Sequence, residues 1–191
     1  MLQNETLVDL LQDLCITSVP TSAIRFLDSA DNKYARDLRM NVKSVLENSL
    51  FTKKENLLLA IATVAALQNS LLIDGLSAKA TQEGASQSEI AEMIACASLL
   101  STNNVLYRFR HFTKKEAYQA PAKLRMNIMM SPITGKVFFE IASIAISAVN
   151  GCELCISTHE KSILDAGGTE SMVWEAIRIA SVFTGLSKVI Y

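Results

Sequence analysis

Apolar residues recur at helical spacing along most of the chain, and no long stretch alternates apolar with polar residues. Residues that form turns are scarce, with 7 glycines and 3 prolines among 191 residues. The pattern therefore predicts an all-α protein. Its longest apolar run, 57–67, is too short to cross a bilayer and is interpreted as a buried helix.

Several helix starts are marked by a polar residue followed three positions later by Glu, the spacing of a capping box. These segments are Thr52–Glu55, Ser86–Glu89 and Thr113–Glu116. The first precedes the apolar run, and the second predicts a helix through Leu100. The third predicts a further helix start.

Proline and glycine give the remaining boundaries. Pro132 predicts a helix that begins there and runs toward Val149, while Gly84 and Gly167–Gly168 predict helix ends. The first fifty residues predict two helices, at roughly 4–14 and 21–48, with Pro20 at the start of the second.

The chain carries an internal repeat at an offset of 83 residues, which places Glu92 on Glu175 and 56–67 on 139–150. Each half then has the order helix, helix, glycine turn, helix. We predict a duplicated helical unit within a single compact domain. Its parts are an N-terminal helical segment, 1–50, and pseudo-repeats at about 52–105 and 135–190.

The two halves differ in their reactive groups. The second half carries Glu140, Cys152, Cys155 and His159. The offset aligns these with Leu57, Asn69, Leu72 and Leu76 of the first half. This asymmetry places the candidate site in the C-terminal half.

Helix geometry brings three of these groups together. Positions 152, 155 and 159 project within about 60° of one another on a helix. Asn150–Gly151 interrupts the preceding helix, so Cys152 is expected in the first turn of a new one, where the helix dipole favours thiolate. His159 can accept the Cys155 proton, and Glu140 can orient the imidazole if the two helices pack side by side.

Two adjacent thiols suit peroxide chemistry. A thiolate that attacks an O–O bond becomes sulfenic acid, the second thiol condenses with it to a disulfide, and an external reductant must reopen that disulfide. Two other interpretations remain, namely a zinc site completed by His159 and Glu140, and a pair of buried structural thiols. The close spacing along one helix favours the redox interpretation, because structural zinc usually joins loops.

Composition narrows the functional class. Hydrophobic residues make up 50% and charged residues 19%, with a mean hydropathy of +0.25, which predicts an oligomer. The net charge of −1 and the absence of a basic cluster argue against nucleic acid. The N-terminal segment has acids and no basic region of the secretory kind, so a cytoplasmic protein without membrane contact is expected. No Gly-rich phosphate loop supports a nucleotide cofactor.

The motif Glu-x11-Cys-x-x-Cys-x-x-x-His, formed by Glu140, Cys152, Cys155 and His159, resembles that of the alkylhydroperoxidase D (alkyl hydroperoxide reductase D) group of carboxymuconolactone decarboxylase-like proteins. Residues 84–112 and 150–160 resemble further segments of that group, and the likeness extends over about 50–191. One departure is Leu154, where members often have histidine, so a helper for proton transfer or partner contact is absent there.

The resemblance implies a trimer of all-helical repeats that reduces hydroperoxides weakly by itself. It also implies an adaptor role, in which dihydrolipoamide on a lipoyl-bearing acyltransferase subunit reduces the Cys152–Cys155 disulfide. The dithiol then reduces a peroxiredoxin of the alkyl hydroperoxide reductase C type. No bound cofactor is implied. Cys155 would be the thiol activated by His159 and Glu140, and Cys152 the more exposed, resolving thiol that faces the partner.

Two rival functions are compatible with parts of this pattern. A non-enzymatic redox sensor or interaction protein would form the same disulfide without turnover. A lactone decarboxylase would need no dithiol, so the paired cysteines argue against it.

Overall fold

The computed structural model describes residues 2–17, 21–30, 32–47 and 50–191, and every regular element within these ranges is helical. The single compact all-α domain predicted from the sequence is confirmed. The α-helices of the described residues are α1 (Glu5–Asp13), α2 (Ser22–Ser29), α3 (Tyr34–Leu46), α4 (Lys53–Ala66), α5 (Ser70–Gln82), α6 (Gln87–Thr113), α7 (Lys136–Val149), α8 (Glu153–Asp165) and α9 (Glu170–Leu186). None of these helices is long and apolar enough to span a membrane.

Helices α4 and α7 form the centre of the domain. Helix α4 buries every residue from Asn56 to Val64, and α7 buries every residue from Phe138 to Ser147. A helix that is buried on all sides must be surrounded by other helices. Accordingly, α4 and α7 pack on each other and both contact α6 and α9, while α5 packs on α4 and α8 packs on α7.

The helix starts follow the spacing of the sequence repeat. The paired helices α4 and α7, α5 and α8, and α6 and α9 each begin 83 residues apart. We infer from this spacing that the two halves are copies of one helical unit. In that arrangement α8 takes the place of α5, with Cys152 at its N-cap where α5 has Asn69.

Two of the three predicted capping boxes are confirmed. Thr52 with Glu55, and Ser86 with Glu89, form both reciprocal hydrogen bonds at the starts of α4 and α6. The third prediction is wrong, because Thr113 is the last residue of α6. Helix α6 continues past Leu100 to Thr113, and Asn104 and Arg108 in its later turns bond to Ser147 and Asn150 at the end of α7.

The predicted start of α7 at Pro132 is also wrong, since the helix begins at Lys136. The carboxylate of Glu92 on α6 accepts the backbone N–H groups of Ile133 (2.6 Å) and Thr134 (2.8 Å). These N–H groups are satisfied from outside the segment, so it does not need to become helical. The buried carboxylate thereby fixes the approach to α7.

The first predicted N-terminal helix is confirmed as α1, whereas the second is divided into α2 and α3. Between them the Asn32 side chain accepts the N–H of Tyr34 at 2.9 Å, an interaction that competes with helix continuation. The expected start at Pro20 lies outside the described residues.

Candidate active site

The turn between α7 and α8 places the first cysteine. Gly151 has φ +67°, a conformation that suits glycine, and the N–H of Cys152 donates to Ser147 O at 3.0 Å. Cys152 is the N-cap residue of α8, and its side chain makes no capping hydrogen bond. The positive end of the α8 dipole is therefore available to a negatively charged sulfur.

Cys152 and Cys155 are joined by a disulfide, with their Cα atoms 5.3 Å apart. Cys152 is 0% exposed and Cys155 is 6% exposed. The expectation that Cys152 is the more exposed sulfur is wrong for this disulfide form. The reason is position, since Cys152 is enclosed at the joint of α7 and α8, whereas Cys155 borders a cavity.

Glu140 and His159 form a buried pair between α7 and α8, each with 8% exposure. His159 Nδ1 lies 2.6 Å from Glu140 Oε2, so the two helices pack side by side as the relay requires. Because a carboxylate accepts, the Nδ1 proton is assigned to this bond. In the neutral ring Nε2 is then the nitrogen that can accept a proton.

A cavity of about 370 Å³ lies beside this pair, between α6, α8 and the segment that precedes α7. Its lining includes Leu100, Asn103, Met126, Met129, Cys155 and His159. Cys155 and His159 thus border one cavity, and Glu140 lies behind the imidazole. Through the disulfide, the structure brings all four of the sequence-predicted residues together.

Sequence reasoning missed a set of supporting side chains on α6. Arg108 Nη1 donates to Asn150 O at 2.6 Å, at the turn before Cys152. Asn104 accepts from Asn150 Nδ2 at 2.8 Å and donates to Ser147 Oγ at 3.0 Å. The signal that could have found them is a pair of adjacent asparagines within a helix, because Asn is a weak helix former.

The other two cysteines differ from each other. Cys96 is fully buried, its sulfur lies 3.6 Å from Ser143 Oγ, and burial raises the pKa of its thiol to about 12. It therefore stays protonated near neutral pH. Cys15, by contrast, is only half-buried.

His111 lies apart from the Glu140 relay. Its Nε2 is 3.9 Å from the exposed carboxylate of Glu153, at the start of α8. Throughout the described part of the chain, no group of three or more His, Cys, Asp or Glu side chains is arranged to hold a metal ion. In this form the two sulfurs form a disulfide with each other, and His159 is hydrogen-bonded to Glu140.

Comparisons with known proteins show which family this chain resembles. Residues 115–191 match the carboxymuconolactone decarboxylase family. Alkyl hydroperoxide reductase AhpD of Anaeromyxobacter sp. (strain K) is 40% identical over 149 residues, which cover 78% of this chain and 80% of the relative. Alkyl hydroperoxide reductase AhpD of Coxiella burnetii (strain RSA 493 / Nine Mile phase I) is 39% identical over 160 residues, which cover 82% and 90%.

Proposed function

Since this chain belongs to the AhpD group of carboxymuconolactone decarboxylase-like proteins, we propose that it is a thiol-dependent alkyl hydroperoxide reductase. The observation that carries the proposal is the meeting of Cys155 and the Glu140–His159 pair at one cavity. A thiol, a proton acceptor and a group that orients the acceptor are the parts that thiol-based peroxide reduction needs.

In the reduced dithiol, His159 Nε2 takes the proton of the Cys155 thiol. Glu140 holds the imidazole by accepting from Nδ1 and stabilises the imidazolium. The thiolate attacks the terminal oxygen of the hydroperoxide, so that an S–O bond forms and the O–O bond breaks. The leaving alkoxide takes the proton from His159 and departs as the alcohol.

The second half of the cycle uses Cys152. Its thiol loses a proton and its sulfur attacks the Cys155 sulfenic acid, so that an S–S bond forms and the S–O bond breaks. The departing hydroxide gains a proton in place of the one lost by Cys152 and leaves as water. The product is the disulfide present in the structure. The N-terminus of α8 favours the thiolate needed at this step.

Reduction of the disulfide requires two electrons from outside. We propose dihydrolipoamide on an acyltransferase subunit as the donor, which forms a mixed disulfide and then closes its own ring. The regenerated dithiol also reduces an AhpC-type peroxiredoxin, with the chain acting as a homotrimer. The relatives are named alkyl hydroperoxide reductases AhpD, which supports the reductase activity itself.

A peroxidase assay tests the proposal, with cumene hydroperoxide as oxidant and dihydrolipoamide as the electron source. Wild-type protein should turn over repeatedly, and Cys155→Ser should show no turnover above the uncatalysed rate. Cys15→Ser is the matched control, because this half-buried cysteine lies outside the site, and it should keep the wild-type rate.

The rival function predicts a different result. A redox sensor would form one disulfide per chain and then stop, even with excess dihydrolipoamide and peroxiredoxin. Turnover by Cys155→Ser, or a single stoichiometric oxidation by wild type, would therefore contradict the proposed enzyme.

A further inference from the structure

We propose that Asn103 and the apolar cavity beside Cys155 form the hydroperoxide-binding site, in which Asn103 Oδ1 accepts the peroxide O–H and the cavity wall holds the organic group. This inference rests on the proposed function and extends it to the residues that select the substrate. It assigns a binding role to residues outside the Glu140, Cys152, Cys155 and His159 set.

The cavity has the size and the surface for an organic molecule. Its volume of about 370 Å³ lies in the usual range of small-molecule sites. Water occupies roughly 30 Å³ in the liquid, so hydrogen peroxide would leave most of this space unfilled. Leu100, Met126, Met129 and Leu154 supply apolar walls, and unbranched Met side chains adapt to ligands of different shape.

Asn103 is the buried side chain of this lining that has a polar atom without a partner among the described residues. It is 5% exposed, and its Nδ2 donates to Met126 Sδ at 3.2 Å. Its Oδ1 is buried and has no hydrogen-bond partner among the described residues. A buried acceptor without a donor is unfavourable, so a ligand that brings an O–H group would be stabilised there.

Three other polar side chains of the lining, those of Asn104, Thr158 and His159, already make hydrogen bonds. Asn104 uses both ends of its amide with Asn150 and Ser147. The Thr158 hydroxyl donates to Leu154 O, and His159 Nδ1 is held by Glu140. Among the described residues of this lining, Asn103 Oδ1 is thus the buried acceptor left for a ligand, and His159 Nε2 remains for the proton.

The free acceptor on Asn103 and the proton on His159 together orient the bound hydroperoxide. The terminal oxygen carries the only acidic hydrogen of an alkyl hydroperoxide, and its O–H bond donates to Asn103 Oδ1. That same oxygen is the one which the Cys155 thiolate attacks. The other oxygen carries the organic group, which faces the apolar wall, and leaves with the proton from His159. The site therefore favours hydroperoxides with a bulky apolar group over hydrogen peroxide.

Rapid-mixing kinetics of the reduced dithiol test the role of Asn103. Asn103→Leu keeps the branched shape and the number of heavy atoms but removes the acceptor, so the second-order oxidation rate should fall roughly ten-fold with both cumene hydroperoxide and hydrogen peroxide. Thr102→Leu is the matched control on the exposed face of α6 and should retain the wild-type rates. Equal rates in the two variants would overturn the assignment of Asn103.

A second variant tests the apolar wall of the cavity independently of the hydrogen bond to Asn103. Met129→Thr makes the wall polar, so the rate with cumene hydroperoxide should fall roughly ten-fold more than the rate with hydrogen peroxide. The apolar subsite would be refuted if the wild-type protein reacted no faster with cumene hydroperoxide than with hydrogen peroxide. It would also be refuted if Met129→Thr lowered both rates equally.

Binding can also be measured without any reaction. We expect 2-phenyl-2-propanol, the alcohol formed from cumene hydroperoxide, to shift the methyl NMR signals of Met126 and Met129 in the disulfide form. The exposed Met40 on α3 serves as the internal control. Asn103→Leu should weaken this binding.

These measurements distinguish failure of the inference from failure of the proposed function. Binding of the alcohol with no peroxidase activity would uphold the cavity and refute the reductase. Full activity without shifts at Met126 and Met129 would refute the cavity and leave the reductase standing. Shifts caused by lipoamide but not by the alcohol would assign the cavity to the reductant and overturn the inference.

Discussion

At the scale of single residues, the local environment determines which cysteine thiol can react. Cys96 is enclosed in the core, and burial raises the pKa of its thiol to about 12, so it has little thiolate at neutral pH. Cys155 borders a cavity together with His159, whose other nitrogen is held by Glu140. Cys155 therefore has a proton acceptor, His159, at the same cavity, whereas Cys96 does not border that cavity.

His159→Gln should slow oxidation of the reduced dithiol by hydroperoxide roughly 10²–10⁴-fold at pH 7, the usual contribution of general base catalysis. The defect should shrink above about pH 8.5, because an ordinary cysteine thiol loses its proton to solvent there. Stopped-flow oxidation rates from pH 6 to 10 measure both effects. His111→Gln is the control outside the relay, and a defect that stays constant with pH would contradict the role of His159 as base.

At the scale of helices, one residue at the start of α6 both caps its own helix and bonds to a neighbouring helix. Glu89 completes the capping box with Ser86 and also accepts from Lys54 Nζ of α4 at 2.7 Å. The hydrogen bond from Lys54, followed by that from the Ser86 N–H, lowers the pKa of Glu89 from 4.5 to about 2. The ionised carboxylate thus stabilises the folded chain, and this contribution is lost as the pH falls from about 4.5 to 2.

Glu89→Gln should lower the free energy of unfolding at pH 7 by about 1 kcal/mol, because glutamine preserves the shape of the box but not the charge. The difference from wild type should decrease below pH 4.5, where the wild-type carboxylate becomes protonated in the unfolded chain. Urea unfolding at pH 7, 4 and 3 provides the measurement. Glu160→Gln on the exposed face of α8 is the control, and a difference independent of pH would refute the ion-pair account.

Helix α5 contains Gly75, although alanine has a higher helix propensity than glycine. A Cβ at Gly75 would lie 2.4 Å from Leu14 O and 3.0 Å from Ile16 Cγ1. A Cβ at Gly185 in α9 would meet only Tyr34 Oη, at 3.8 Å. The two glycines share a helical setting but differ in the space around them.

Gly185→Ala should raise the melting temperature by about 2–4 °C, since alanine is favoured over glycine in a helix by about 1 kcal/mol. Gly75→Ala should lower it, because overlap with backbone atoms costs about 1–3 kcal/mol and outweighs the propensity gain. Thermal unfolding followed by circular dichroism compares the pair. If the melting temperature rose by a similar amount in both variants, the backbone near Leu14 would have to move aside without strain, which would contradict this account.

At the scale of the whole molecule, the site depends on the packing of three helices. Helix α7 supplies Glu140, α8 and its N-cap supply His159 and the cysteines, and α6 supplies Asn104 and Arg108, which hold the turn between them. The outer side of α6 exposes Val105 (61%), Phe109 (46%) and Phe112 (71%). Apolar side chains exposed along one helix support the expected oligomer.

Sedimentation velocity should therefore show an oligomer, and Phe112→Glu should shift it toward the monomer by placing a charge in the apolar surface. Phe26→Glu on α2 is the matched control, since this phenylalanine is similarly exposed on a different element. A monomeric wild type, or equal dissociation in both variants, would contradict an interface on α6.

Much of the fold could be predicted because its signals are local. The boxes at Thr52 and Ser86 locate two helix starts, since each is made by residues three positions apart. Where a local signal competed with packing, prediction failed, as at Thr113, which ends α6, and at Pro132, which precedes α7. Glu92 holds the segment before α7 from another helix, and no local pattern contains that contact.

The same division applies to the candidate site. The sequence by itself determined that Cys152, Cys155 and His159 lie along the start of one helix, because three to seven residues of helical backbone set their spacing. Only the tertiary structure decided that Glu140 meets His159, that Cys152 is enclosed while Cys155 borders a cavity, and that Asn103 faces the same space. These relations depend on how separate helices pack, and side-chain shape and burial across helices fix that packing rather than the periodicity within any one of them.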